Sequence, residues 1–232
     1  MIVAVAGGKG GVGKSTIAWN LASELEAVVV DADLATADLP PGTGPDLHDV
    51  LAGRVEPADA VETVGTVTIL PCGRTLSGAR ASRLEALPSV LERVERSRDR
   101  VVVDCPAGLA RDVGIGLRSA DLAVLVTTPT RAAMVDAFRT ADLAAALETP
   151  IASLVVNMAD GEADEAIADR AGRTLGVEAT VVEDRQAVAD AQSRRVPVRD
   201  HAPDVGAVAA YGAVADRLER AADRLAGRPG PV

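Results

Sequence analysis

Aromatic side chains are nearly missing from this 232-residue chain: Trp19, Phe138 and Tyr211 are all it has. A stacking platform for single-stranded nucleic acid needs several aromatics on one surface, so that class of binder is excluded, and any core must be aliphatic. Cysteine is as scarce. Cys72 and Cys105 stand far apart without a C-x-x-C, which suggests neither a disulfide framework nor a zinc site and fits a reduced, cytoplasmic protein. No apolar run approaches the ~18 residues of a membrane-spanning helix, and the N-terminus enters a strand directly, without a basic n-region or apolar h-region. The third scarcity is lysine. Of 24 basic residues only Lys9 and Lys14 are lysines, and every other one is arginine.

Acidic residues number 34, giving a net charge of −10 and a pI near 4.7, which opposes non-specific attraction to DNA or anionic lipid. The acidic, arginine-over-lysine composition also resembles proteins of salt-loving organisms, where molar salt screens charge within ~3 Å. The arginine groups Arg80/Arg83, Arg93/Arg96/Arg98/Arg100 and Arg194/Arg195/Arg199 read as solvated helix faces in preference to a partner surface. The length suits one well-buried domain over residues 1–232.

Both lysines fall in one stretch. Gly8 to Ser15 has the spacing G-x-x-x-x-G-K-S, with an apolar run Ile2 to Ala6 before it and a helical run Ser15 to Leu25 after it, the context a phosphate-binding loop requires. An incidental glycine-rich turn would not bring those flanks. Backbone without Cβ atoms wraps an anion closely, so Gly10, Gly11, Val12 and Gly13 are expected to turn N–H groups toward phosphates at a helix N-terminus. Lys14 then reaches the β- and γ-phosphates, Ser15 binds Mg²⁺, and Thr16 closes the loop. A lysine retained only here implies a task for a compact ammonium that a guanidinium fork cannot do.

Beyond the loop, Val28 to Val30 reads as a buried parallel strand ending in Asp31-Ala32-Asp33. Carboxylates at that end face the ligand crevice of an open α/β sheet, unless either caps the next turn. Val101 to Val103 ends likewise in Asp104, the Walker B arrangement. Pro40 to Pro45 is a loop, Asp46 caps a helix to Leu51, and His48 on it reads as a solvated residue, as does His201. Further strands are expected at Val67–Leu70, Asp121–Val126, Ile151–Val156 and Ala179–Val182. Helices are expected at Arg83–Arg96, kinked or started by Pro88, from Thr130 to about Leu147, and at Tyr211–Leu225. Strands alternating with helices give an α/β fold: a mostly parallel central sheet, helices on both faces, right-handed crossovers.

The run Lys9 to Thr16 resembles the deviant Walker A motif of the MinD/ParA family of P-loop ATPases, Lys9 matching its additional signature lysine. Asp104-Cys105-Pro106-Ala107-Gly108 resembles the family's D-S-P-A-G segment, with Cys105, read as a small buried filler, in place of serine. Arg194 to Val198 resembles its G-x-P-V turn without the glycine, and the likeness is strong over residues 8–33 and 101–129 but weak after Gly161. The resemblance implies ATP and Mg²⁺ as ligands and an ATP-dependent homodimer in which Lys9 of one subunit touches the phosphates held by the other. It implies Lys9, Lys14 and Asp33 as catalytic residues, Asp33 orienting the attacking water, and Ser15, Asp31, Asp33 and Asp104 around the metal. Asn157 is the implied adenine reader, against a turn asparagine bonding its own backbone, with a second adenine contact near residues 182–186 where the family's proline is absent. The chain closes on Gly and Pro residues where bacterial MinD carries an amphipathic helix, so direct membrane binding is not expected. Iron–sulfur carriers of the group need interface cysteines that this chain lacks. A MinD-like positioning ATPase, slow until a protein activator or cargo partner engages it, is the resulting expectation. DNA binding is not indicated by the charge pattern; a ParA-like partition ATPase and a non-hydrolysing ATP-dependent scaffold stand as alternatives.

Overall fold

The computed structural model describes residues 1–34, 36–183 and 186–227. In chain order the elements are β1 (Ile2–Ala6), α1 (Lys14–Glu24), β2 (Val28–Asp31), α2 (Leu47–Leu51), α3 (Pro57–Ala60), β3 (Glu62–Val64), β4 (Val67–Leu70), α4 (Leu76–Ala81), α5 (Leu87–Arg98) and β5 (Val101–Asp104). They continue with α6 (Arg111–Arg118), β6 (Leu122–Thr127), α7 (Arg131–Ala146), β7 (Ile151–Ala159), α8 (Gly161–Leu175), β8 (Ala179–Glu183), α9 (Gln186–Arg194), α10 (Val198–His201) and α11 (Gly206–Ala226). The described strands form one sheet, ordered β3-β4-β2-β5-β1-β6-β7-β8, parallel throughout except for β3.

Alternation along β1 divides its side chains between two cores. Ile2, Ala4 and Ala6 pack with Leu91 and Val94 of α5 and Val113 and Leu117 of α6, while Val3 and Val5 pack with Ile17 and Leu21 of α1 and with Tyr211, Val214 and Leu218 of α11. β2 and β5 divide in the same way: Val28, Val30, Val101 and Val103 go to one face, Val29 and Val102 to the other. Burial on both faces is why these strands are unbroken apolar runs. β1 leads into α1 on one face and β5 into α6 on the other, so their loops part at the carboxyl end of the sheet and leave a crevice there.

Pro88 starts a helix instead of kinking one. It occupies the first turn of α5, where its missing N–H has no partner to lose, and Leu84–Ala86 precede it as a separate 3₁₀ turn. α11 begins five residues earlier than the apolar spacing suggested, at Gly206. His48 corrects the sequence reading outright. Asp46 does cap α2, accepting from the Asp49 N–H, but Leu47, His48, Val50 and Leu51 are all buried in this five-residue helix, leaving only Asp49 toward solvent. The His48 ring is 2% exposed, with Nε2 3.6 Å from the Cys72 sulfur. His201 is half-buried. The closing residues Arg228 to Val232 lie outside the described residues.

Candidate functional site

The loop between β1 and α1 owes its shape to two left-handed residues, Gly11 at φ 78° and Gly13 at φ 91°. A Cβ on Gly13 would also run into the Asn157 amide nitrogen, so only glycine fits there. Beyond it Lys14 and Ser15 open α1, and with Gly11, Gly13 and Thr16 they line a cavity of about 270 Å³ whose other walls are Asp38, Met158 and Gln192. The Lys14 side chain is largely enclosed, its residue 8% exposed. Lys9, by contrast, is exposed on the loop.

Asp31 and Asp104 end adjacent strands as register partners of the β2–β5 ladder, and both are 1% exposed. Burial, and then the neighbouring Asp104 charge, push Asp31 up to about 8, against the pull of the Asp33 N–H donated to its Oδ1 at 3.3 Å. Burial pushes Asp104 up to about 7, opposed by the Ser15 hydroxyl and the Lys14 ammonium. Ser15 lies near enough to pull on Asp104, yet no contact has hydrogen-bond geometry, and both carboxylate oxygens are buried without a partner. Two adjacent oxygen acids, one of them unsatisfied, beside a hydroxyl at a helix start are the donor set of a hard divalent cation. Among the described residues no group of three or more His, Cys, Asp or Glu side chains converges on a metal position.

Asp33 is half-buried, and its Oδ1 accepts the Thr36 N–H at 2.8 Å, so it does cap the following turn. Asn157 does not bond its own backbone. It is 6% exposed and its Nδ2 donates to the Val12 carbonyl at 2.9 Å, so it props the glycine loop from below. The next residue, Met158, sits at φ 56° where the β7–β8 register shifts, and it is 46% exposed at the cavity wall. The expected second adenine contact falls partly on Asp184 and Arg185, outside the described residues. Asp38, Met158 and Gln192 were not anticipated; the Thr16 hydroxyl donates to Gln192 Oε1 at 3.3 Å across 176 residues, a contact without a local sequence signal. Cys105 is buried at 1% exposure, and both cysteines are free thiols.

Similar proteins are known in sequence and in structure. The ParA family model, described as NUBPL iron-transfer P-loop NTPase, matches residues 1–170. An uncharacterized ATP-binding protein of Methanocaldococcus jannaschii is 33% identical over 174 residues, 70% of this chain and 66% of that protein's own length. The chain thus spans just under two thirds of this curated relative. Two solved structures superpose over almost everything. The cell division ATPase MinD of Pyrococcus furiosus gives a TM-score of 0.85 at 26% identity, covering 94% of this chain and 98% of that one. The septum site-determining protein MinD of Pyrococcus horikoshii, complexed with Mg-ADP, gives 0.85 at 26%, covering 97% of each.

Proposed function

The chain belongs to the ParA/MinD family of P-loop NTPases, and from that premise we propose that it binds Mg-ATP in the cavity beside Lys14, dimerises with the nucleotide between subunits, and hydrolyses it slowly to switch the binding of a protein partner. The observation that carries this reading is the unsatisfied Asp104 carboxylate buried beside Ser15 and Lys14: it is a costly arrangement unless a cation is held there. The Mg-ADP held by the P. horikoshii relative supports the same ligand class.

In this reading the loop N–H groups from Gly10 to Ser15 hold the phosphate oxygens, and Lys14, enclosed on α1, offsets the charge of the triphosphate. Ser15 and Asp104 are the residues that would hold Mg²⁺, with Asp31 and Asp33 standing around its water shell. Bound there, magnesium neutralises charge on the phosphate oxygens. Asp33 orients the attacking water. Asn157 steadies the loop through Val12, leaving its Oδ1 as an acceptor for the exocyclic amine of adenine. Lys9, exposed on the loop, is free to meet the phosphates of a second subunit. Positioning and charge neutralisation then supply most of the rate. Iron transfer, named in the matched family's description, finds no surface ligands in this chain's cysteines, since Cys72 and Cys105 are both buried.

Titration calorimetry separates the two lysines. Lys14→Ala is expected to abolish nucleotide binding, whereas Lys9→Ala keeps it and loses ATP-driven dimerisation and hydrolysis. Equal loss of nucleotide affinity in both variants would overturn the division of roles.

A further inference from the structure

A second cavity, of about 240 Å³, adjoins the nucleotide cavity and shares Ser15, Thr16, Asp38 and Gln192 with it. Six apolar residues, Trp19, Leu39, Pro40, Pro41, Val188 and Val196, make up about half of its lining, beside Asn20 and the shared polar wall. Arg74 and Arg195, both exposed, also line it, and among the described residues neither takes part in an ion pair. Arg74 reaches the Leu39 carbonyl at 3.4 Å, and Arg195 is held at φ 58°, a left-handed conformation unfavourable for a residue with a Cβ. The one acidic lining residue, Asp38, belongs to the wall shared with the nucleotide cavity. In a chain of net charge −10 this is a local excess of positive charge at the mouth of a cavity that is apolar on the Trp19, Leu39–Pro41, Val188 and Val196 side.

The walls are fastened to the phosphate loop. Asn20, 4% exposed, donates to the Thr16 carbonyl at 2.8 Å and accepts the Val198 N–H at 2.8 Å, while Gln192 accepts from the Thr16 hydroxyl. The opposite wall, Leu39 to Pro41, continues the loop that leaves Asp31 and Asp33. We propose that this cavity docks an acidic segment of a protein partner, which seats one bulky apolar side chain against Trp19 and sets a flanking carboxylate between Arg74 and Arg195. The volume suits one large side chain, the usual anchor of an interface, and the two cations select its neighbours. Coupling of this docking to nucleotide rests on the Mg-ATP reading above; the docking itself does not.

Trp19 is the only tryptophan, so its emission reports on the cavity directly. The nucleotide-free protein is titrated with acetyl-Asp-Asp-Phe-Asp-Asp-amide, with the Phe→Ala peptide and with the Lys-for-Asp peptide. The proposal expects a saturable shift of Trp19 emission with the first peptide alone, weakened about tenfold by Arg195→Glu or Arg74→Glu and retained in Arg195→Lys. The affinity of a fluorescent ADP analogue is expected to be unchanged in these variants, so loss of nucleotide binding is read separately. Equal response to acidic and basic peptides, no response to any, displacement of the peptide by ADP, or an emission change explained by self-association in sedimentation would each overturn it.

Discussion

Asp104 answers to two opposed demands: the fold would be better off without its buried charge, and the cation chemistry needs it. Asp104→Asn removes the charge at nearly constant shape. The nucleotide-free melting temperature is expected to rise by about 3 °C, because an unpaired buried charge is relieved, while the further rise given by Mg-ADP to the parent chain disappears. Differential scanning calorimetry with and without Mg-ADP checks both parts. The same carboxylates set a pH dependence. Asp31 and Asp104 rise in the fold from the ordinary 3.8 to about 8 and about 7, so over that window the folded chain binds more protons than the unfolded one and loses stability as pH rises. Without nucleotide, the parent chain is expected to lose more stability between about pH 4 and 8 than the Asp31→Asn/Asp104→Asn double variant, as urea midpoints would record. At this scale the lysines and aspartates were legible because motif spacing and strand ends announce them. His48 was not, because its burial depends on how Cys72, Gly73 and α4, distant in sequence, close over α2.

Among elements, the link that matters most to the site joins α1 to α9 and α10. Thr16 makes the first part through Gln192, and Asn20, from the middle of α1, makes the second by taking the Val198 N–H. Asn20→Leu leaves that donor buried and unpaired, at about 2 kcal/mol, and is expected to speed amide exchange at Val198 well before exchange in β1 changes. Unchanged protection at Val198 would show that the link does not hold α10. β1, β2 and β5 were readable because helices cover both their faces. β3 escaped notice because Glu62–Val64 is a three-residue edge strand with no buried residue. α9 and α10 were hidden too: what places them is a set of contacts to α1, distant in sequence, and periodicity sees only neighbours.

At the scale of the whole molecule, association of two chains is decisive. A sheet with helices on both faces leaves the phosphate loop open at one end, and Lys9 stands exposed there. The direct measurement is light scattering of the Asp33→Ala variant with saturating Mg-ATP. The expected mass is twice the 23.7 kDa chain, returning to a single chain when Lys9→Ala is added in the same background. A single-chain mass with nucleotide demonstrably bound, or a dimer indifferent to Lys9, would contradict it.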